Sequence, residues 1–144
     1  MQLLQYDAPH LKEERPARPL VLVIDDDRAM QEMLGYALGF YGYQSVCMGN
    51  GREALAWLEQ APQKGLYPQA ILLDLLMPVM NGSSFLESLP RCWSANAPVP
   101  PVILFTADAR SGRYNTFPCS KVLVKPFHIH ELRECLSDVT GNMN

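Results

Sequence analysis

Four short apolar stretches each run into a residue able to handle a phosphoryl group and its metal ion. Leu20 to Ile24 stops at Asp25 and Asp26, Ala70 to Leu73 at Asp74, Val102 to Phe105 at Thr106, and Val122 to Val124 at Lys125. Three carboxylates, a hydroxyl and an ammonium make a coherent chemical set only if they meet. Carboxylates gathered within about 5 Å repel by roughly 3 kcal/mol per pair at an effective dielectric of 20. A hard divalent cation relieves that repulsion, and magnesium takes one or two carboxylates while retaining waters and a substrate phosphate. Asp26 and Asp74 are expected as direct ligands, Asp25 as a ligand through water, and the backbone carbonyl of Leu76 as the remaining protein ligand. The second oxygen of Asp74 would then attack phosphorus as a carboxylate nucleophile, giving an acyl phosphate. Lys125 would add positive charge at the phosphoryl oxygens, and the Thr106 hydroxyl would donate to one of them.

Such residues meet only if the four stretches are neighbouring strands. Short, continuous runs rich in branched apolar residues are how strands covered on both faces of a parallel sheet read. In open sheets of this kind, ligands bind outside the carboxyl ends of the strands. Between the runs lie helical patterns. Met30, Met33, Leu34, Ala37, Leu38 and Tyr41 recur at helical spacing until Gly42, with both methionines expected in the core. Tyr43 to Met48 reads as a further strand. Asn50 with Glu53 forms a capping box for a helix carrying Ala54, Leu55 and Leu58, which ends before a turn-like Pro62 to Pro68 stretch. A short helix is expected around Ser83 to Leu89, and a last one carries Ile129, Leu132, Leu136 and Val139. Between Ala107 and Ser120, Gly112 and Pro118 allow only a short or irregular fourth helix. Five strands alternating with helices imply right-handed crossovers and a doubly wound α/β fold.

Composition narrows the function classes. The chain has 144 residues, 48% hydrophobic and 19% charged, enough for one core without staples. A net charge of -3 offers no basic field for direct nucleic acid binding. Cys47, Cys92, Cys119 and Cys135 lack the close pairing of zinc or redox motifs and are expected as reduced thiols of a cytoplasmic protein. No apolar stretch approaches the roughly 20 residues of a membrane span. Residues 1–19, broken by Pro9, Pro16 and Pro19, are expected as an N-terminal tail, 20–140 as the domain, and 141–144 as a C-terminal tail. The chain ends shortly after the last helix, so no output domain is expected within it: docking to another chain is expected if it is the whole protein, and the output is open if it is a fragment. His128 and His130 have no ligand pattern around them and are expected at the surface.

The motifs Val23-Ile24-Asp25-Asp26-Asp27, Leu72-Leu73-Asp74-Leu75-Leu76-Met77-Pro78 with Met80-Asn81-Gly82, Phe105-Thr106-Ala107, and Lys125-Pro126-Phe127 occur in this order. From Leu20 to about Val139 the chain resembles the receiver domain of bacterial two-component response regulators, the CheY-like, flavodoxin-like fold. The resemblance implies strand order 2-1-3-4-5 and a cis bond before Pro126. It also implies that Asp74 accepts phosphate from a sensor histidine kinase or phosphotransfer protein and that Asp25 and Asp26 organise Mg2+. Thr106 and Lys125 then read the phosphorylated state for a downstream protein partner. Such a domain catalyses only its own phosphorylation. Two positions depart from the pattern: Val122 stands where an aromatic switch residue is common, and the stretch between Thr106 and Lys125 is short. Leu76 and Asp108 are expected to set the phosphoryl lifetime; an apolar Leu76 cannot orient an attacking water, which implies slow hydrolysis.

Two other classes fit some of these features. A receiver-like interaction module would keep the pocket and signal without phosphate, as Val122 permits. A haloacid-dehalogenase-type phosphohydrolase would use Asp25 and Asp27 as an aspartate pair two apart. Ala29 stands where that class carries a small hydroxyl residue, and the chain has little room for a substrate cap.

Overall fold

The structure, a computed structural model, describes residues 18–75, 80–93, 96–107 and 121–141. Five strands form one sheet: β1 (Leu20–Ile24), β2 (Gln44–Met48), β3 (Ala70–Asp74), β4 (Val102–Thr106) and β5 (Lys121–Val124). All pairings are parallel and the order is β2-β1-β3-β4-β5. The expected flavodoxin-like topology is therefore present.

Four α-helices accompany the sheet among the described residues: α1 (Arg28–Phe40), α2 (Gly51–Gln60), α3 (Gly82–Cys92) and α4 (Ile129–Thr140). The sheet splits the core in two because successive side chains of a strand point to opposite faces. Leu22 and Ile24 of β1, Ile71 and Leu73 of β3, and Leu104 of β4 pack with Leu55 and Leu58 of α2 and Phe85 and Leu89 of α3. Val21, Val23, Leu72, Ile103 and Phe105 pack on the other face with Leu34 and Leu38 of α1 and Leu132 and Leu136 of α4. Every residue of β1, β3 and β4 is buried, as strands sandwiched between helix layers require. Each leucine sealed in this way stabilises the fold by about 1.5–3 kcal/mol relative to exposure.

Several expectations need correction. The fourth apolar run, which forms β5, is not buried on both faces. β2 is half-exposed, and in β5 only Leu123 is buried, with Val122 and Val124 exposed, as befits sheet edges. Met30 is half-buried against the core, but Met33 is 40% exposed: the buried stripe of α1 is narrower than its apolar periodicity and keeps only Leu34 and Leu38 inside. Asn50 Oδ1 does accept from Glu53 N at 2.9 Å, yet the Glu53 carboxylate reaches back to Gly49 N instead of closing the box on Asn50. The stretch after α2 is a 3-10 helix, Ala61–Lys64, closed by Gly65 at φ 75°. The helix expected around Ser83 to Leu89 runs longer, to Cys92, with Pro90 inside its last turn.

The last helix, α4, begins with Glu131 Oε1 accepting from His128 N at 2.7 Å, and His128 and His130 are both exposed. Cys47, Cys92 and Cys135 are half-buried free thiols. No helix among the described residues is long and apolar enough to cross a membrane. The irregular helix expected between Ala107 and Ser120 and the two tails lie, except for Ala107, Arg18, Pro19 and Gly141, outside the described residues.

Candidate functional site

Strand order alone brings the acidic residues together. In the order 2-1-3, β1 and β3 are neighbours whose chains leave toward opposite sides, so a crevice opens at their carboxyl ends. The register pairs Ile24 with Leu73, which puts Asp25 and Asp26 one and two residues past β1 beside Asp74, the last residue of β3. Carboxylate oxygens of Asp25, Asp26 and Asp74 lie within 4.8 Å of one another. Asp25 is fully buried, Asp74 is 9% exposed, and Asp26 is exposed.

The other two residues arrive from β4 and β5. Thr106, 2% exposed, ends β4, and its carbonyl accepts from Lys125 N at 2.7 Å. That bond continues the β4–β5 ladder by one residue and sets Lys125 at the same edge. The Lys125 ammonium lies 3.9 Å from Asp74 Oδ1 and 4.8 Å from the centre of the Phe105 ring, where the ring face attracts a cation. The peptide bond between Lys125 and Pro126 is cis, as the resemblance implies. Five of the six residues expected at the site thus stand at one sheet edge. The sixth, Leu76, lies outside the described residues, as do Met77, Pro78 and Asp108.

Local structure holds the acidic turn in place. Asp25 N donates to Met48 O at 3.1 Å, and Asp27 N donates to Asp25 Oδ1 at 2.9 Å. Asp27 Oδ1 accepts from Ala29 N at 3.0 Å, which makes it the N-cap of α1. This carboxylate is therefore engaged with the helix start and not paired with Asp25 for acid–base work, which weighs against the phosphohydrolase reading. On the β3 side, Gly82 N donates to Leu75 O at 2.8 Å. A Cβ on Gly82 would stand 3.0 Å from Leu75 Cα, so only glycine lets α3 approach the backbone directly after Asp74.

The electrostatics of the cluster are compatible with a cation. Burial pushes the Asp25 carboxyl up to about 6; the neighbouring Asp74 carboxylate adds to the rise, while the Asp27 N–H and the Lys125 ammonium oppose it. Asp25 Oδ2 is buried with no hydrogen-bond partner. A proton, a water or a metal ion would each satisfy that oxygen. A three-carboxylate oxygen set with one orphaned buried acceptor and one exposed member fits a hard divalent ion that keeps part of its water shell.

One contributor, Gln31, escaped the sequence reading, which also leaves the capping role of Asp27 unassigned. Gln31, on the first turn of α1, donates from Nε2 to Asp25 O at 2.6 Å, and Asp27 serves as cap and backbone donor. Asp27 was legible as an acidic residue ahead of a helical pattern; nothing in the spacing of Gln31 sets it apart from any polar helix residue.

A buried carboxylate at the switch point of a parallel sheet, backed by two more acids and faced by a lysine, is the arrangement of a phosphate-accepting signalling domain. The response regulator receiver domain model matches residues 21–137, and the chain belongs to that family. It is a phosphorylatable receiver domain whose acidic cluster is positioned to coordinate a divalent ion. Among curated relatives, the response regulator MprA of Mycolicibacterium vanbaalenii is 34% identical over 114 residues, covering 78% of this chain and 46% of its own. The regulatory protein AtoC of Escherichia coli K12 is 30% identical over 115 residues, covering 78% of this chain and 23% of its own. The chain thus spans about half, or less, of the length of these relatives. Among solved structures, the receiver domain of the sensor histidine kinase PA1611 from Pseudomonas aeruginosa PAO1, which has a magnesium ion coordinated in its active site cleft, superposes with a TM-score of 0.75. It is 26% identical, covering 88% of this chain and all of that one. A response regulator receiver protein from Burkholderia phymatum gives a TM-score of 0.70 at 28% identity, covering 86% of this chain and 96% of that one.

Proposed function

We propose that Asp74 is the phosphoryl acceptor of a two-component phosphorelay, charged by a histidine on a sensor kinase or phosphotransfer protein. In the step, a carboxylate oxygen of Asp74 forms a bond to phosphorus as the phosphorus–nitrogen bond of the phosphohistidine breaks, leaving an acyl phosphate and a neutral imidazole once a proton is taken up. Asp25, Asp26 and Asp74, with the Leu76 carbonyl, would hold Mg2+. When bound, that ion supplies positive charge against the phosphoryl oxygens. Lys125 orients the acceptor before transfer and balances phosphoryl charge after it. Thr106 donates its hydroxyl to the new group, so the β4 end is drawn toward Asp74, and the population shifts to a state that a downstream partner distinguishes. This work on its own side chain needs no general enzyme activity. A cytoplasmic setting goes with this reading.

The convergence of three carboxylates within 4.8 Å, with the Lys125 ammonium 3.9 Å from Asp74, carries the proposal. Support for a protein partner comes from a groove of about 460 Å³ lined by Met33, Tyr36, Ala37, Phe40, Tyr41 and Ile129. Tyr36 and Phe40 there are more than four-fifths exposed, which is costly unless another surface covers them. α1 begins directly after the acidic turn and α4 four residues after Lys125, so both helices that line the groove start beside the site.

The test is incubation with Mg2+ and acetyl phosphate, followed by intact mass and acid-stable versus labile adduct analysis. A single labile phosphoryl group that Asp74→Asn abolishes supports the reading. Absence of any adduct, with or without beryllofluoride, would favour the module that signals without phosphate, which the non-aromatic, exposed Val122 and the short stretch between Thr106 and Lys125 motivate. Turnover of phosphate esters dependent on Asp25 would return the phosphohydrolase.

A further inference from the structure

We infer that Gln31 is a positioning residue for the metal-binding turn, acting through the Asp25 peptide and touching neither metal nor phosphate. Asp25 stands one residue past the last paired residue of β1, where the ladder with β3 ends at Ile24 and Leu73. Its polar atoms are then accounted for individually. The N–H goes to Met48 O, Oδ1 accepts from Asp27 N, and the carbonyl accepts from Gln31 Nε2 at 2.6 Å, the shortest of these bonds. Oδ2 is buried with no hydrogen-bond partner, and the carboxylate belongs to the acidic cluster.

The carbonyl of Asp25 belongs to the peptide plane that leads into Asp26. A buried or half-buried backbone carbonyl that loses its donor turns toward water or another donor. Turning that plane swings the Asp26 Cα and its carboxylate, the one exposed and least anchored member of the triad. Gln31 resists this because its own backbone is locked into α1, with its N–H donating to Asp27 O at 3.0 Å. The helix start, its cap residue Asp27 and the metal-binding turn are thereby tied into one unit: helix position sets carboxylate position. Partners that orient metal ligands from outside the coordination shell commonly govern affinity in this way.

For its affinity arm this inference rests on the metal-assisted acceptor reading; a metal-free arm separates the two. Gln31→Leu removes the donor at similar volume, and Gln31→Arg keeps a long side chain with N–H donors. Mg2+ affinity is measured by calorimetry on the full chain, and amide hydrogen exchange at Asp26 and Asp27 is measured in EDTA. Gln31→Leu is expected to weaken Mg2+ about tenfold and to speed exchange at Asp27, while labelling by acetyl phosphate recovers at saturating Mg2+. Gln31→Arg is expected to restore both. A Gln31→Leu protein with affinity within about twofold of the parent and unchanged exchange overturns the inference, as does an arginine variant as impaired as the leucine one. If the parent chain binds no Mg2+, the acceptor reading fails, and the exchange data alone judge Gln31.

Discussion

The ammonium of Lys125 stands 3.9 Å from Oδ1 of Asp74, although Asp74 ends β3 and Lys125 directly follows β5, strands that do not touch because β4 lies between them. The lysine spans the end of β4 by lying across the Phe105 ring. In the metal-free protein its charge lowers the Asp25 carboxyl against the opposing effect of burial. Replacing Lys125 by methionine is therefore expected to raise the Asp25 titration above its already elevated position near 6. Carboxyl carbon NMR titration reads this directly; an unchanged or lower midpoint would show that the lysine charge does not reach the triad.

The same carboxyl gives stability a pH dependence of defined sign. Asp25 titrates near 6 in the fold against 3.8 for its ordinary value, so between the two the folded state binds more protons than the unfolded one. Stability of the metal-free protein then falls as pH rises through that window, and at neutral pH the ionised Asp25 costs up to about 2–3 kcal/mol. Asp25→Asn is expected to stabilise the EDTA-treated protein at pH 7.5 by several degrees and to flatten the profile between pH 4 and pH 6. Thermal melts over that range are the check, and a destabilised asparagine variant would refute the assignment.

Glycine substitutions should separate close approach from helix propensity. At Gly82 a Cβ would meet the Leu75 backbone at 3.0–3.1 Å, so Gly82→Ala is expected to cost about 1–3 kcal/mol and to weaken Mg2+ by moving the segment after Asp74. At Gly39, within α1, nothing lies within 4 Å, and alanine there is expected to stabilise by up to about 1 kcal/mol. Chemical denaturation of both variants gives the comparison. Equal effects of the two would remove the steric account of Gly82.

Lifetime of the acyl phosphate is expected to depend on Leu76, two residues beyond Asp74 and apolar. Leu76→Asn supplies an amide that can orient water, and it should shorten the phosphoryl half-life several-fold, by the order of about 1 kcal/mol in barrier. Decay of the labelled species after removal of the donor measures it. A parent half-life equal to or shorter than the variant's would count against slow intrinsic hydrolysis.

Much of this domain is written in its local pattern. β1, β3 and β4 carry helices on both faces, so each of their positions must be apolar, and the first polar residue after each run marks the sheet edge. That is why Asp25, Asp26, Asp74 and Thr106 stand out in the sequence, whereas Lys125 follows an edge strand and stands out only beside Pro126 and Phe127. Edge strands and helix flanks obey looser rules. Val122, Val124 and Met33 are apolar and yet exposed, because periodicity reports which side chains are apolar, not how wide a face its neighbours cover.

Distances are a different matter. The 4.8 Å triad follows from pairing Ile24 with Leu73, and the lysine's approach from pairing Thr106 with Val124. A slip of one residue in either ladder would turn these side chains to the other face while leaving every strand equally apolar. Backbone hydrogen bonding is blind to side-chain identity, so residue order within one strand cannot choose its register; packing of both helix layers against the whole sheet does. The bond from Gln31 to the Asp25 carbonyl has the same origin, since it exists only where α1 docks. Residue types and their order determined which groups could meet at one edge, whereas assembly of the sheet between its helices decided that they lie close enough to share a cation.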